Sequence, residues 1–113
     1  MSRGVVWVAG ASSGLGLHTA QAIRDAGYTV IAGARSFTAG EENGIHRLPL
    51  DVTDGTSVAA FVQAARAIAP RVDALVQCAG ILVLGSCEET SLAEYRRVME
   101  TNFLGMVRLN QAV

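Results

Sequence analysis

Lysine is absent from this 113-residue chain: its nine basic residues are all arginines, set against ten acids for a formal charge of −1. Chemistry that needs a lysine amine or ammonium therefore cannot run on these residues alone. Charge of either sign is sparse, at 17%, and scattered Arg near neutrality excludes nucleic-acid and polybasic membrane partners. Two cysteines, Cys78 and Cys87, cannot frame a disulfide-rich secreted domain, and neither shows CxxC or metal-ligand spacing. Reduced thiols in a cytoplasmic protein are the expectation. No apolar run approaches the ~20 residues of a membrane helix, so no membrane association is expected. Repeats, low-complexity tracts and linkers are missing too. Half the chain is apolar, with twelve glycines against two prolines. That composition builds one core and excludes disorder, so residues 1–113 read as a single domain.

Strand and helix signals alternate along the chain. Val5 to Ala9 is a short apolar run, as in a strand buried on both faces. With Arg3 ahead and Ala9-Gly10-Ala11 behind, it superficially resembles a secretion signal, but a Gly-rich turn into a helix accounts for it better. From Leu15 an apolar side follows Leu15, Thr19, Ala22, Ile23 and Ala26, and Gly27 ends the helix. Thr29 to Ala34 is a second strand, Ser36 to Gly44 a polar loop, and His46 to Leu50 a third strand. Asp54 can cap a helix with the stripe Val58, Phe61, Val62, Ala65, Ile68 and Ala69, closed by Pro70. Ala74 to Cys78 is a fourth strand, and a last helical region starts near Ser91 or Leu92 and still runs at Val113.

Such alternation with wholly apolar strands predicts an α/β fold, a Rossmann-like parallel sheet with helices on both faces. Right-handed crossovers give the strand order 3-2-1-4, half of a dinucleotide-binding fold, with the C-terminal half missing. The fourth strand is then a bare apolar edge, and the last helix ends without a stop signal.

Between the first strand and first helix lies Gly10-Ala11-Ser12-Ser13-Gly14-Leu15-Gly16. Gly10 permits a tight exit from the strand, Gly14 lets the backbone approach a pyrophosphate, and Gly16 permits close helix packing. The N–H groups at the helix start then hold phosphate charge. The glycines are spaced Gly-x3-Gly-x-Gly. In that form Val8 to Gly16 resembles the cofactor signature of the short-chain dehydrogenase/reductase family. Leu50-Asp51-Val52-Thr53-Asp54 is similar to the family's segment beneath the adenine, and Cys78-Ala79-Gly80 to the end of its Asn-Asn-Ala-Gly motif. Thr101-Asn102-Phe103-Leu104-Gly105 resembles the helix bearing its structural and catalytic Asn. Ala9 departs from the family's usual Thr, and Gln77 and Cys78 replace its two Asn.

The resemblance implies a nicotinamide dinucleotide held by Gly10, Ser12, Ser13, Gly14, Leu15, Gly16, Asp51, Val52, Cys78, Ala79 and Gly80. Cofactor choice is read after the second strand, where an acid would bind the ribose hydroxyls of NAD and repel a 2′-phosphate. Here Arg35 and Ser36 stand instead, so NADP(H) is expected over NAD(H). Asp51 either accepts from the adenine amine or caps its loop. Asn102 interrupts the apolar stripe Tyr95, Val98, Met99, Met106, Leu109 and Val113, so its amide needs partners. In the family that Asn steadies the helix and holds a water in the proton relay, which makes Asn102 the catalytic candidate.

The family moves hydride between nicotinamide and a carbonyl or alcohol carbon, using a Ser, a general-acid/base Tyr and a Lys four residues on. Tyr28 and Tyr95 are followed at that spacing by Ala32 and Met99. The expectation is the nucleotide-binding portion of an oxidoreductase, inactive by itself, with the catalytic residues beyond Val113. A small carbonyl or alcohol substrate and a homo-oligomer are expected of the complete protein. The alternatives are a non-catalytic nucleotide-binding or sensing module, or a truncated inactive fragment. No metal site is expected. His18, His46, Glu88-Glu89 and Arg96-Arg97 read as surface or packing residues.

Overall fold

β-Branched and small apolar residues form the strands of the computed structural model, which describes residues 2–113. β1 (Val5–Ala9), β2 (Thr29–Ala34), β4 (Ile45–Pro49) and β5 (Ala74–Gln77) pair in parallel, and β3 (Gly40–Glu42) lies antiparallel to β4. The sheet order is β3-β4-β2-β1-β5. The four parallel strands thus take the expected order 3-2-1-4. One expectation is corrected. The stretch 36–44 is not wholly loop, because residues 40–42 form an edge strand and make the sheet mixed. Its turn is Asn43-Gly44, with φ of 53° and 76°, conformations that suit a tight hairpin. Glu42 is ion-paired across that hairpin to Arg47.

Alternation along β1 divides the core between the two faces of the sheet. Val5, Trp7 and Ala9 face α2 (Gly55–Ile68) in a cluster with Ile31, Leu48, Phe61 and Ala65. Val6 and Val8 lie in the other cluster, with Val30, Ala32, Phe37 and Ala20 of α1 (Gly14–Asp25). Trp7 meets Phe61 edge to face at 5.6 Å, an arrangement worth about 0.5–1.5 kcal/mol beyond its burial. Asp54 caps α2 by accepting from the Thr56 N–H at 2.9 Å. Asp73 ties β1 to the turn before β5, accepting the Val5 N–H at 2.8 Å.

The α1 stripe is corrected by one position. Gly16 and Ala20 are buried and Ile23 is half-buried, whereas Leu15 is 77% exposed and Ala22 and Ala26 are exposed. Small residues let the helix lie close to the strand exits, and that close approach selects the buried face.

The last helical region is α3 (Leu92–Met99), a π-helical turn (Glu100–Leu104) and α4 (Gly105–Ala112). Its stripe is corrected as well. Leu109 is fully buried, but Tyr95, Met99 and Met106 are 40–53% exposed, and no residue of α3 is buried. Only α4 packs back against α2 and the sheet. β5 lies at the sheet's edge, its residues exposed or half-buried.

Candidate functional site

A cleft of about 300 Å³ opens at the carboxyl ends of β1, β2, β4 and β5. It sits where the chain reverses direction across the sheet, with β2 on one side of β1 and β5 on the other. Crevices at such switch points are where open parallel sheets take ligands.

Its first wall is the turn from β1 into α1. Gly10 has φ 81°, and a Cβ there would fall 2.4 Å from the Ala79 nitrogen, so this turn meets the exit of β5 backbone to backbone. A Cβ on Gly16 would lie 1.9 Å from the Gly10 carbonyl oxygen. Gly14, at φ 57°, has nothing within 4 Å of the place a Cβ would occupy, leaving its backbone open to an approaching group. Ser13 starts α1 in extended conformation but makes no side-chain cap, and no acid lies in the first turn. The positive end of a twelve-residue helix is therefore left without an acid or a capping side chain, which suits an anion.

The other walls come from the strand exits. Gly10, Ser12, Ser13, Leu15, Gly16, Arg35, Asp51, Val52, Cys78, Ala79 and Gly80 line the cleft. Ser36 sits beside it, in an adjoining depression shared with Ser12 and Arg35. Gly14 borders the turn without being among the lining residues. Ala34, Leu50, Thr53, Ile81 and Thr101 also line the cleft. Leu50, Thr53 and Thr101 belong to segments the sequence had marked, while Ala34 and Ile81 carry no signal beyond lying next to marked residues.

Electrostatics divide the cleft. Arg35 is exposed and forms no ion pair among the described residues. Asp51 accepts from the Thr53 hydroxyl at 2.6 Å and the Thr53 N–H at 3.0 Å, both through Oδ1. Those two bonds hold its carboxyl below the usual carboxylate range, with the Arg35 and Arg108 charges adding to them. The loop-cap role of Asp51 is thus present in the geometry, and the same residue lines the cleft.

Asn102 stands behind the cleft on the π-helical turn. Its Oδ1 accepts the Ile81 N–H at 2.8 Å and its Nδ2 donates to the Ile81 carbonyl at 2.9 Å. The amide thereby clamps the loop after β5 to the helix. Where the family's first Asn would stand, the Gln77 amide donates to the Met106 carbonyl and to Asn110 Oδ1, both at 2.9 Å. At Ala9, which has no hydroxyl, the link to the exit of β5 is the backbone bond from the Cys78 N–H to the Ala9 carbonyl at 2.8 Å. Cys78 and Cys87 are both free thiols. Among the described residues no cluster of His, Cys, Asp and Glu could hold a metal, and no helix is long and apolar enough to cross a membrane.

A second hollow, of about 280 Å³, lies between α1 and the β3–β4 hairpin. Its two arginines are already ion-paired, Arg24 with Asp25 and Arg47 with Glu42, and it has no helix start in its wall. The first cleft is the better site for an anionic ligand.

A largely parallel sheet with a glycine cradle and an open helix start at its switch point defines a Rossmann-like α/β domain. Comparison with known proteins narrows that class. The short chain dehydrogenase family model matches residues 4–113, and the chain belongs to that family. It is 38% identical to human dehydrogenase/reductase SDR family member 7 over 96% of its length, and 36% identical to 2,3-dihydro-2,3-dihydroxybenzoate dehydrogenase of Escherichia coli over 94%. It spans only 36% and 42% of those two proteins. Among solved structures, a short-chain dehydrogenase from Streptomyces avermitilis superimposes with a TM-score of 0.89 at 37% identity, covering all of this chain and 44% of that one. Ligand-free aldohexose dehydrogenase from Thermoplasma acidophilum gives 0.88 at 30% identity, covering 98% and 43%.

Proposed function

We propose that this chain is the NADP(H)-binding part of an oxidoreductase that moves hydride between nicotinamide and a carbonyl or alcohol carbon. Arg35 carries the cofactor choice. It follows β2 where an acid would mark NAD, it has no ion-pair partner among the described residues, and it shares a depression with the Ser12 and Ser36 hydroxyls. A planar guanidinium beside two hydroxyls suits a 2′-phosphate. The glycine turn and the start of α1 hold the pyrophosphate, while Asp51 and Val52 flank the adenine. Bound there, the nicotinamide supplies or accepts the hydride. Asn102 acts by position, holding Ile81 and the loop after β5 against the helix.

That these residues contain no Lys, and so no Tyr followed four residues on by Lys, supports reading them as the binding part. Residues 1–113 alone are therefore expected to bind the nucleotide without turnover, and a small carbonyl or alcohol compound is the substrate class proposed for the complete protein. Free thiols support a cytoplasmic setting. Tyr95, Met99, Phe103 and Met106, exposed along one helical region, support pairing of two copies in the complete protein.

Calorimetric titration of the chain with NADPH and NADH tests the reading. NADPH is expected to bind more tightly by about ten- to a hundredfold, the worth of a charge-assisted pair. Arg35→Ala should abolish that preference and Arg35→Asp should reverse it, with no oxidation of NADPH by any of these proteins. Equal affinities for the two nucleotides in the unmodified chain would overturn the NADP(H) assignment, and oxidation of NADPH by the purified chain would overturn the division of labour.

A further inference from the structure

One arginine outside the cleft joins two segments that line it. Between β4 and α2, residues 50–53 line the cleft, and the Val52 side chain is buried. Arg108, in α4, donates through Nη1 to the Val52 carbonyl at 2.5 Å and through Nη2 to Glu100 Oε1 at 2.7 Å. Glu100 opens the π-helical turn that carries Thr101, a cleft residue, and Asn102, which clamps Ile81. A Cβ on Gly105 would fall 2.6 Å from Val52 Cγ2, so the helix backbone rests directly on the Val52 side chain. Steric contact fixes the distance between loop and helix, and the guanidinium fixes the loop's rotation about that contact.

This bridge suits arginine and little else. Its two nitrogens meet two acceptors 48 residues apart in sequence, Val52 and Glu100, which a single ammonium could not span in one orientation. Both Arg108 and Glu100 are only part-exposed, so the pair is less screened than a surface ion pair. The neighbouring carboxyl responds to it as well: after the two Thr53 bonds and Arg35, the Arg108 charge is a further cause holding Asp51 ionised.

We propose that Arg108 is a positioning residue for adenine recognition: by tying the Val52 carbonyl to Glu100, it holds residues 51 and 52 in the orientation that discriminates the adenine ring. The inference rests on the nucleotide reading above and adds a residue that touches neither the cleft nor the nucleotide.

Adenine discrimination itself supplies the test. NADP+ and its hypoxanthine analogue, in which a carbonyl oxygen replaces the exocyclic amine, are titrated into the chain and its variants. The unmodified chain is expected to favour NADP+ by about two- to tenfold, the value of one hydrogen bond. Arg108→Met should bring that ratio close to one, while Arg108→Lys should recover part of it. Glu100→Gln, which keeps the bond to Val52 but removes the charge that anchors the guanidinium, should give an intermediate ratio, and it serves if Arg108→Met does not fold. A loss of overall affinity or melting temperature with the ratio unchanged would reduce Arg108 to a structural residue and overturn the proposal. Equal binding of both nucleotides by the unmodified chain would overturn it while sparing the nucleotide reading. Binding of neither would overturn both.

Discussion

Asp51 closes a local loop through its Oδ1 and Thr53, and the residue lines the cleft. The folded chain depresses its pKa relative to the unfolded chain, so its contribution to stability is present above the unfolded value and is lost as pH falls through the folded one. Asp51→Asn should therefore be less stable than the unmodified chain near neutral pH, and the difference should shrink below about pH 4. Urea unfolding between pH 3 and 7 measures it; a difference that stays constant across that range would assign the loss to geometry instead of charge. The sequence offered both readings of this residue and could not rank them, because an Asp two residues before Thr reads the same whether or not a ligand is near. Leu15 was misread for a related reason. Its helical spacing put it on the apolar stripe as well as in the glycine turn, yet the close approach of α1 to the strand exits buries Gly16 and Ala20, and Leu15 lines the cleft.

At the scale of elements, the continuous apolar strands and the glycine turn were legible because parallel strands buried on both faces tolerate little else. The β3–β4 hairpin was not, although Asn43-Gly44 is a strong turn signal, since Glu41 and Glu42 suggest solvent where a short edge strand can carry charge. Gly44→Ala should cost about 1–2 kcal/mol by forcing a side chain into positive φ. A Cβ at that position would lie 3.3 Å from Arg24 Cδ, and Arg24 is held by Asp25 and the Asn43 carbonyl, so this contact adds to the cost. Denaturant unfolding reads the loss, and nucleotide affinity should stay unchanged because the hairpin lies away from the cleft; an affinity falling in step with stability would contradict that separation. The π-helical turn was also invisible in the sequence. It inserts one extra residue into the helical phase, and its evidence lies in contacts between distant segments, Asn102 to Ile81 and Arg108 to Val52.

Over the whole molecule, the organisation is one-sided. The β3 edge of the sheet is charged and short, whereas the β5 edge and the helical face of Tyr95, Met99 and Phe103 are apolar and open. The chain spans 36%, 42% and 44% of the three relatives compared above. The cleft does not share in that asymmetry, since its walls come from the ends of four strands, the start of α1 and the π-helical turn. The central claim is that this cleft binds the nucleotide, and hydrogen exchange read by mass spectrometry, with and without NADPH, tests it most directly. Added protection is predicted at residues 10–17, 34–36, 51–53 and 78–81, with the β3–β4 hairpin unaffected. Protection confined to the hollow between α1 and that hairpin, or no protection at saturating NADPH, would contradict the account.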